Sequence, residues 1–232
     1  MNKIIKQNEK GSLIIISGPS GCGKGTIISK LLEEYKNAHL SISCTTRDMR
    51  KGDIDGKTYY FLNTKEFEKR IKNNDFLEYA LYNNNYYGTP KSNIETLLKE
   101  GKDVILEIEV QGALQIKKKV PEAICIFIMP PSMEELKNRL VGRGTETKDK
   151  VLSRFRSAYK EINEVTKYNY VVINDEVENA VLKIKSIILS EKCRVDRIEE
   201  VYLNNEEEEI HELLMNEKFL NEDIKIDWLY VI

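Results

Sequence analysis

The chain has few of the residues that bind metals or form disulfides: its 232 residues include only four cysteines and two histidines. The cysteines are Cys22, Cys44, Cys125 and Cys193, which are widely spaced and form no C-x-x-C pair. Structural zinc sites and disulfide frameworks are recognised by such clusters. We therefore expect four free thiols, no zinc site and no disulfide.

Long apolar runs are also missing. The longest contain about five to seven residues, whereas a helix that crosses a bilayer needs about 18 or more. The first ten residues are polar and charged, without the apolar core of a signal peptide. These absences predict a cytoplasmic protein with no membrane segment.

Positive and negative charges nearly cancel over the whole chain, but they are unevenly distributed along it. The formal net charge is −2, yet residues 1–195 contain 26 acidic and 33 basic residues, and residues 196–232 contain 12 acidic and 3 basic ones. A basic body suits an anionic small molecule or a nucleic acid. Because no nucleic-acid-binding motif is visible, we expect a small-molecule substrate and no nucleic-acid partner.

Apolar residues make up 41% of the chain. They form short continuous runs that alternate with amphipathic stretches. Short unbroken runs rich in β-branched residues are typical of strands buried on both faces of a parallel sheet. Four such runs predict strands at 13–17, 104–110, 124–129 and 170–173. Amphipathic stretches predict helices at 26–35, 91–100, 132–143, 147–166 and 180–191. This alternation predicts an α/β fold, a parallel sheet flanked by helices.

Three segments depart from the alternation. Residues 41–90 contain short aromatic runs separated by turn residues, which predict an inserted β-rich lobe. The sequence at 142–145 interrupts two helical stretches and suggests a mobile segment. The acidic extension 196–232 ends on the apolar run Trp228 to Ile232. We expect it either to pack on the body or to bind a partner, whose nature stays open.

One loop carries a specific signal for phosphate binding. Residues 18–24 match G-x-x-x-x-G-K between a predicted strand and a predicted helix, the context of a P-loop. Backbone N–H groups and the helix N-terminus cradle phosphates there, and Lys24 is expected to reach the β- and γ-phosphates. The candidate nucleotide-binding residues are Gly18, Pro19, Ser20, Gly21, Cys22, Gly23, Lys24, Gly25 and Thr26.

Four further motifs follow the P-loop in order. They are Ser-Cys-Thr-Thr-Arg at 43–47, Glu78 with Asn-Tyr-Tyr-Gly-Thr at 85–89, Glu-Ile-Glu-Val-Gln-Gly at 107–112, and Gly-Arg-Gly-Thr at 142–145. Together with the P-loop they resemble the guanylate kinase family over residues 11–193. The resemblance implies a domain at 1–195 with a P-loop NTPase core, a GMP-binding lobe at about 41–90 and a lid at about 137–165. It also implies transfer of the γ-phosphoryl group of ATP to GMP, with Mg²⁺.

The resemblance assigns the acceptor site. Ser43 and Glu78 would read the guanine, with Thr89 near the base. A carboxylate accepts two hydrogen bonds from the N1–H and the exocyclic amine of guanine, which adenine does not offer. The residues that would hold the phosphate of GMP are Arg47, Arg50, Tyr59 and Tyr87. Met49 stands where the family usually has proline, directly before Arg50.

The resemblance also assigns the reacting phosphates. Lys24, Arg47, Arg143 and Arg154 would be catalytic, the last two as lid arginines that close over the polyphosphate. Glu107 and Glu109 would serve Mg²⁺, its waters or GMP, although the family commonly has aspartate at position 109. Thr26 and Glu107 would contact the metal largely through water.

Two alternatives to GMP phosphorylation stay open. One is a kinase of another nucleoside monophosphate: Ser43 and Glu78 suit guanine and argue against AMP and UMP, but not against dGMP. A non-catalytic binding module with a guanylate-kinase-like fold is disfavoured by the complete P-loop and its Lys24.

Overall fold

The computed structural model describes residues 5–7, 10–82, 84–141 and 148–201. Contacts within the chain divide it into two units. One unit is Glu9–Lys192, and the other joins Met1–Asn8 with Cys193–Ile232. The predicted domain boundaries stay predictions, and the first eight residues group with the C-terminal segment rather than with the body.

Eleven strands and seven α-helices occur in the described residues. The strands are β1 (Ile5–Gln7), β2 (Leu13–Ser17), β3 (Ala38–Leu40), β4 (Cys44–Thr45), β5 (Tyr60–Phe61), β6 (Phe76–Tyr82), β7 (Asn85–Pro90), β8 (Asp103–Glu107), β9 (Ile124–Met129), β10 (Tyr170–Ile173) and β11 (Ile198–Val201). The helices are α1 (Lys24–Glu34), α2 (Thr64–Lys72), α3 (Lys91–Lys99), α4 (Val110–Lys119), α5 (Met133–Val141), α6 (Lys148–Ile162) and α7 (Val177–Lys192). Two 3₁₀ turns span Val165–Lys167 and Val195–Arg197.

The larger unit is built on a five-stranded sheet with the order β10-β9-β2-β8-β3. Every neighbouring pair in it is parallel. The predicted α/β fold is thus confirmed. Strand β2 lies in the middle, and its side chains alternate between two cores: Ile14 and Ile16 pack in one, Ile15 in the other. This burial of both faces explains the unbroken β-branched run in the sequence.

A second sheet, with the order β5-β4-β7-β6, lies between β3 and α3 in the chain. Its long hairpin β6–β7 is antiparallel and covers the aromatic segment that predicted a β-rich lobe. Stacked rings form its core: Phe67 lies 4.5 Å from Phe76 and 5.1 Å from Tyr86 between centroids. The lobe therefore has its own small apolar centre.

The structure corrects several of the predicted elements, and β3, the fifth strand of the main sheet, was not predicted. The strand expected at 104–110 ends at Glu107, and Val110 begins α4, a helix that was not predicted. The buried positions 110, 113 and 116 have helical spacing. In the sequence, residue 110 instead continues the apolar run of the strand, which hid the start of the helix. Helix α2 in the lobe was also missed, because it buries only Phe67.

The smaller unit contains one described pairing, the antiparallel β1–β11. Ile5 pairs with Val201 and Lys6 with Glu200. The segments 142–147 and 202–232, with the predicted mobile segment and most of the acidic extension, lie outside the described residues. Among the described helices, none has the length and apolar character needed to cross a membrane.

Candidate active site

The P-loop follows β2 and leads directly into α1. Gly23, the residue before α1, has φ of +90°, and a Cβ there would lie 2.4 Å from Nδ2 of Asn174. Only glycine fits this position without moving a neighbour, because other residues avoid such a φ and the space is occupied. The chain therefore passes close under Asn174 before the helix starts.

Asn174, directly after β10, contacts the P-loop across the end of β9. Its buried side chain donates a hydrogen bond of 2.7 Å to the carbonyl of Cys22, and its own N–H donates to Met129 at 2.8 Å. Arg139 donates to the Asn174 carbonyl at 3.3 Å and pairs with Glu135. Sequence reasoning missed Asn174, although a polar residue directly after the β10 run is a usable signal.

Lys24 lies folded against its own loop. Its ammonium donates to the carbonyls of Gly18 at 2.6 Å and Pro19 at 3.3 Å. Thr26 is exposed in the first turn of α1. Cys22 is fully buried, and burial raises the pKa of its thiol. Cys22, Cys44 and Cys125 are buried free thiols.

A cleft of about 430 Å³ opens beside Lys24. It is lined jointly by the P-loop side, the small sheet and the chain that follows β8. The predicted site residues that line it are Lys24, Ser43, Arg50, Tyr59, Glu78, Tyr87, Glu107 and Glu109. The carboxyl edge of a parallel sheet is where α/β proteins commonly bind ligands. The structure thus brings together residues that are more than 80 positions apart in the chain.

Glu78 is the buried carboxylate of the cleft. Its side chain is 5% exposed, and Thr89, which is fully buried, donates a 2.7 Å hydrogen bond to Oε1. Burial raises the pKa of Glu78, whereas Thr89 and the charge of Lys119 oppose the rise. A carboxylate that is largely removed from water favours ligands that donate hydrogen bonds to it.

Helix α4 holds the strand that carries Glu78. A Cβ at Gly112 would lie 2.7 Å from Glu78 Oε2, so only glycine allows this approach. Further along the helix, Gln115 donates to the carbonyl of Tyr79 at 3.5 Å, and Lys119 donates to that of Leu77 at 2.7 Å. The spacing of three and four residues places all three contacts on one helix face.

Arg47 does not line the cleft but lies beside it. Its guanidinium pairs with Asp53 at 2.9 Å and stands over the rings of Tyr59 and Phe61, 5.5 and 5.6 Å from their centroids. The N–H of Arg50 also donates to Asp53, at 2.7 Å. That hydrogen bond, followed by the contact with Arg47, lowers the pKa of Asp53. Asp53 therefore ties both predicted phosphate-binding arginines to one loop.

Glu107 and Glu109 follow the end of β8 on the cleft side. Limited access to water raises the pKa of Glu107; Lys24 opposes this rise, and the charge of Glu109 adds to it. The two carboxylates and the lysine thus form one coupled set of charges in the cleft.

Helix α6 also contacts the P-loop. Arg154 donates to the hydroxyl of Ser20 at 2.7 Å, so one predicted lid arginine lies at the phosphate loop. Arg143, the other one, lies outside the described residues. Glu161 also lines the cleft and was missed by sequence reasoning. Glu161 is seven residues, or two helical turns, after Arg154, so the sequence alone indicates that both lie on one face of the helix.

Comparison with known proteins decides the family. The family model for guanylate kinase matches residues 10–191. The chain belongs to the guanylate kinase family. The guanylate kinase of Clostridium perfringens strain 13 is 58% identical over 92% of this chain and 99% of its own length. That of Clostridium tetani is 61% identical over 89% of this chain and 99% of its own length.

A solved structure supports the same assignment to the guanylate kinase family. The crystal structure of guanylate kinase from Anaplasma phagocytophilum matches with a TM-score of 0.71 and 32% identity. The match covers 92% of this chain and 97% of that one. The P-loop and the inserted lobe both lie within residues 10–191 of the family match.

Proposed function

We propose that this guanylate kinase family member phosphorylates GMP with ATP, giving GDP and ADP. The observation that carries the proposal is that buried Glu78 and the P-loop residue Lys24 line one cleft. Phosphoryl transfer needs in-line alignment and neutralisation of charge more than covalent chemistry from the protein. We infer direct transfer without a phosphoenzyme.

The donor side is assigned to the P-loop. Residues 18–26 would hold the ATP phosphates through backbone N–H groups and the start of α1. The ammonium of Lys24, which bonds to its own loop carbonyls here, would turn to the β- and γ-phosphates. Arg154 and Arg143 would neutralise the transferring group and exclude water, which limits ATP hydrolysis.

The acceptor side is assigned to the small sheet and the loops around it. Glu78, held by Thr89, would accept hydrogen bonds from the guanine, with Ser43 as a further contact. The phosphate of GMP would be held by Arg47, Arg50, Tyr59 and Tyr87. Guanidinium groups suit phosphate geometry, and tyrosine hydroxyls add neutral donors.

The residues near Lys24 fit a Mg²⁺ ion held mainly by phosphates and water. Mg²⁺ prefers oxygen ligands and commonly uses one or two protein oxygens at nucleotide sites. Thr26 offers a hydroxyl in the first turn of α1, and Glu107 a carboxylate in the cleft. When bound, the ion would neutralise phosphate charge.

The test is a coupled assay of ADP formation with ATP, Mg²⁺ and GMP, AMP, UMP or CMP in turn. We expect turnover with GMP alone, and loss of most of it in Lys24→Met. A Lys30→Met variant is the control, because Lys30 is a lysine of the same helix that pairs with Glu33 and Glu34. Turnover with another monophosphate would indicate a different acceptor, and binding of GMP without turnover would indicate a binding module.

Two further assignments rest on the sequence. They are a cytoplasmic location and the absence of a nucleic-acid partner. The partner of residues 196–232, if they bind one, is not assigned by any observation on the described residues.

A further inference from the structure

Glu161 is a charged residue of the cleft that the proposed reaction does not use. It lies one residue before the end of α6, and its carboxylate lines the cleft with Lys24 and Glu109. Its Oε2 atom is shielded from solvent and has no hydrogen-bond partner among the residues that the structure describes. An unpaired carboxylate oxygen is costly to bury. This geometry indicates that the oxygen gains a partner, or a proton, in another state of the protein.

The groups around Glu161 come from four parts of the fold. Burial raises its pKa to about 7, and the negative charge of Glu109, before α4, adds to this effect. Lys24 and the backbone N–H of Ser20 oppose it. The hydroxyl of Tyr168, after the 3₁₀ turn, is also buried without a partner. The carboxylate is thus balanced between its two protonation states near neutral pH.

Helix α6 is docked on the P-loop by the same face. Arg154, two turns before Glu161, bonds to the Ser20 hydroxyl. Residues seven apart lie on one side of a helix. Glu161 therefore lies where α6 meets the loop that is assigned to the ATP phosphates.

Bound nucleotide phosphates would favour the protonated form of Glu161 over the ionised form. Their ionised oxygens accept hydrogen bonds but cannot donate them. They also add negative charge beside Lys24, which otherwise offsets the charge of Glu161. Both effects disfavour an ionised carboxylate at this position, whereas a protonated one can donate from Oε2.

We propose that Glu161 is a positioning residue of the phosphate site, which takes up a proton from solvent when nucleotide phosphates bind beside α6. The proposal rests on nucleotide binding at the P-loop, as assigned above. No other bond forms or breaks in this step. The protonated side chain keeps α6, and with it Arg154, against the loop without repelling the phosphates.

The test is calorimetric titration with the magnesium complex of adenylyl imidodiphosphate at pH 7, in buffers of different ionisation enthalpy. We expect the wild-type protein to take up about half a proton more than Glu161→Gln, because a group with a pKa near 7 is half protonated at that pH. Glu164→Gln is the matched control, since Glu164 pairs with Lys167. It should give the wild-type proton count, whereas equal counts for wild type and Glu161→Gln overturn the proposal.

A second measurement needs no variant. Infrared difference spectra of wild-type protein with ¹³C-labelled glutamate should gain a protonated-carboxyl band when the analogue binds. Absence of that band overturns the proposal even if Glu161→Gln does not fold. A wild-type protein that binds no analogue contradicts the proposed function as well. Binding with an unchanged proton count contradicts the role of Glu161 alone.

Discussion

Thr89 donates its hydroxyl hydrogen to Oε1 of Glu78 over 2.7 Å, and both side chains are buried. The bond fixes one oxygen of the carboxylate, while Gly112 leaves room for the other. Glu78 is therefore oriented before a substrate arrives. A preoriented acceptor does not have to lose rotational freedom on binding, so this pair favours affinity as well as selectivity.

Replacing Glu78 by Gln should lower the activity with GMP without lowering the stability of the fold. We expect kcat/KM for GMP to fall roughly 10²-fold, because hydrogen bonds to charged groups contribute about 1.5–3 kcal/mol each and about 1.4 kcal/mol is tenfold. KM for ATP should change little. Steady-state kinetics with each substrate varied in turn measure both effects. An unchanged kcat/KM for GMP would remove Glu78 from the acceptor site.

The same variant should be more stable than the wild type at neutral pH. Burial raises the pKa of Glu78, so the folded state favours the protonated form. Its contribution to stability is greatest below the ordinary glutamate pKa and is lost as pH rises through the raised value. The gain in Glu78→Gln should therefore grow between pH 4 and pH 8. Urea unfolding at several pH values, without nucleotide, tests the sign.

Gly112→Ala should displace Glu78 without altering the ATP side. The new Cβ would lie 2.7 Å from Oε2 and 3.0 Å from Cδ of Glu78. Displacements of about 1 Å in a positioned group can cost about 10²-fold. We expect KM for GMP to rise at least tenfold and the affinity for an ATP analogue to stay unchanged.

A double variant gives the control for this clash. Glu78→Asp shortens the side chain by one methylene, which makes room for the alanine. The Gly112→Ala change should then cost less in the Glu78→Asp background than in the wild type, a coupling between residues in contact. Equal costs in both backgrounds would show that Gly112 acts elsewhere.

The sequence predicted the parts of the site that lie in contiguous motifs. The P-loop, Glu78 and Glu107 were predicted because short patterns name them, and the structure places Lys24, Glu78 and Glu107 at one cleft. Asn174 and Glu161 were missed since each depends on a contact with the P-loop that is more than 130 residues distant. Helix α4 was missed because its first apolar residue follows a buried strand almost without interruption.

Asp103 should be a major stabilising residue far from the cleft. It is fully buried; Lys192 and Tyr35 each contact Oδ2 at 2.6 Å, and the N–H of Ser12 donates to Oδ1 at 2.8 Å. Removing one partner of a buried ion pair costs about 3–5 kcal/mol. For Asp103→Ala we expect about 3 kcal/mol, because the Lys192 side chain is 32% exposed.

The pH dependence of this effect has a defined sign. Burial alone would raise the pKa of Asp103, but the contacts with Lys192, Tyr35 and Ser12 outweigh it and lower the pKa. Its stabilisation is therefore present above the ordinary aspartate pKa of about 3.9 and lost as pH falls through the lowered value. Denaturant curves of wild type and variant should converge in acid. Asp48→Asn, at an exposed position, is the control and should change little.

Asn174→Ala should loosen the P-loop. The change leaves the buried carbonyl of Cys22 without its 2.7 Å hydrogen bond, which costs about 1–3 kcal/mol. We expect weaker ATP binding, with little change in KM for GMP. Asn179→Ala removes a similar amide from an exposed position, where it donates to Glu176, and provides the comparison. Titration with an ATP analogue that left the two variants equal would contradict a brace at Asn174.

The central position of β2 also has a consequence for how the protein is made. Strand β2 leaves the ribosome early, but its two neighbours, β8 and β9, are about 90 and 110 residues further along the chain. Pairings between such distant segments form slowly, since a long loop must close first. The P-loop follows β2 directly, so its phosphate-binding shape depends on strands that are synthesised much later. During translation the growing chain therefore acquires the ability to bind nucleotide late, as the central sheet is completed.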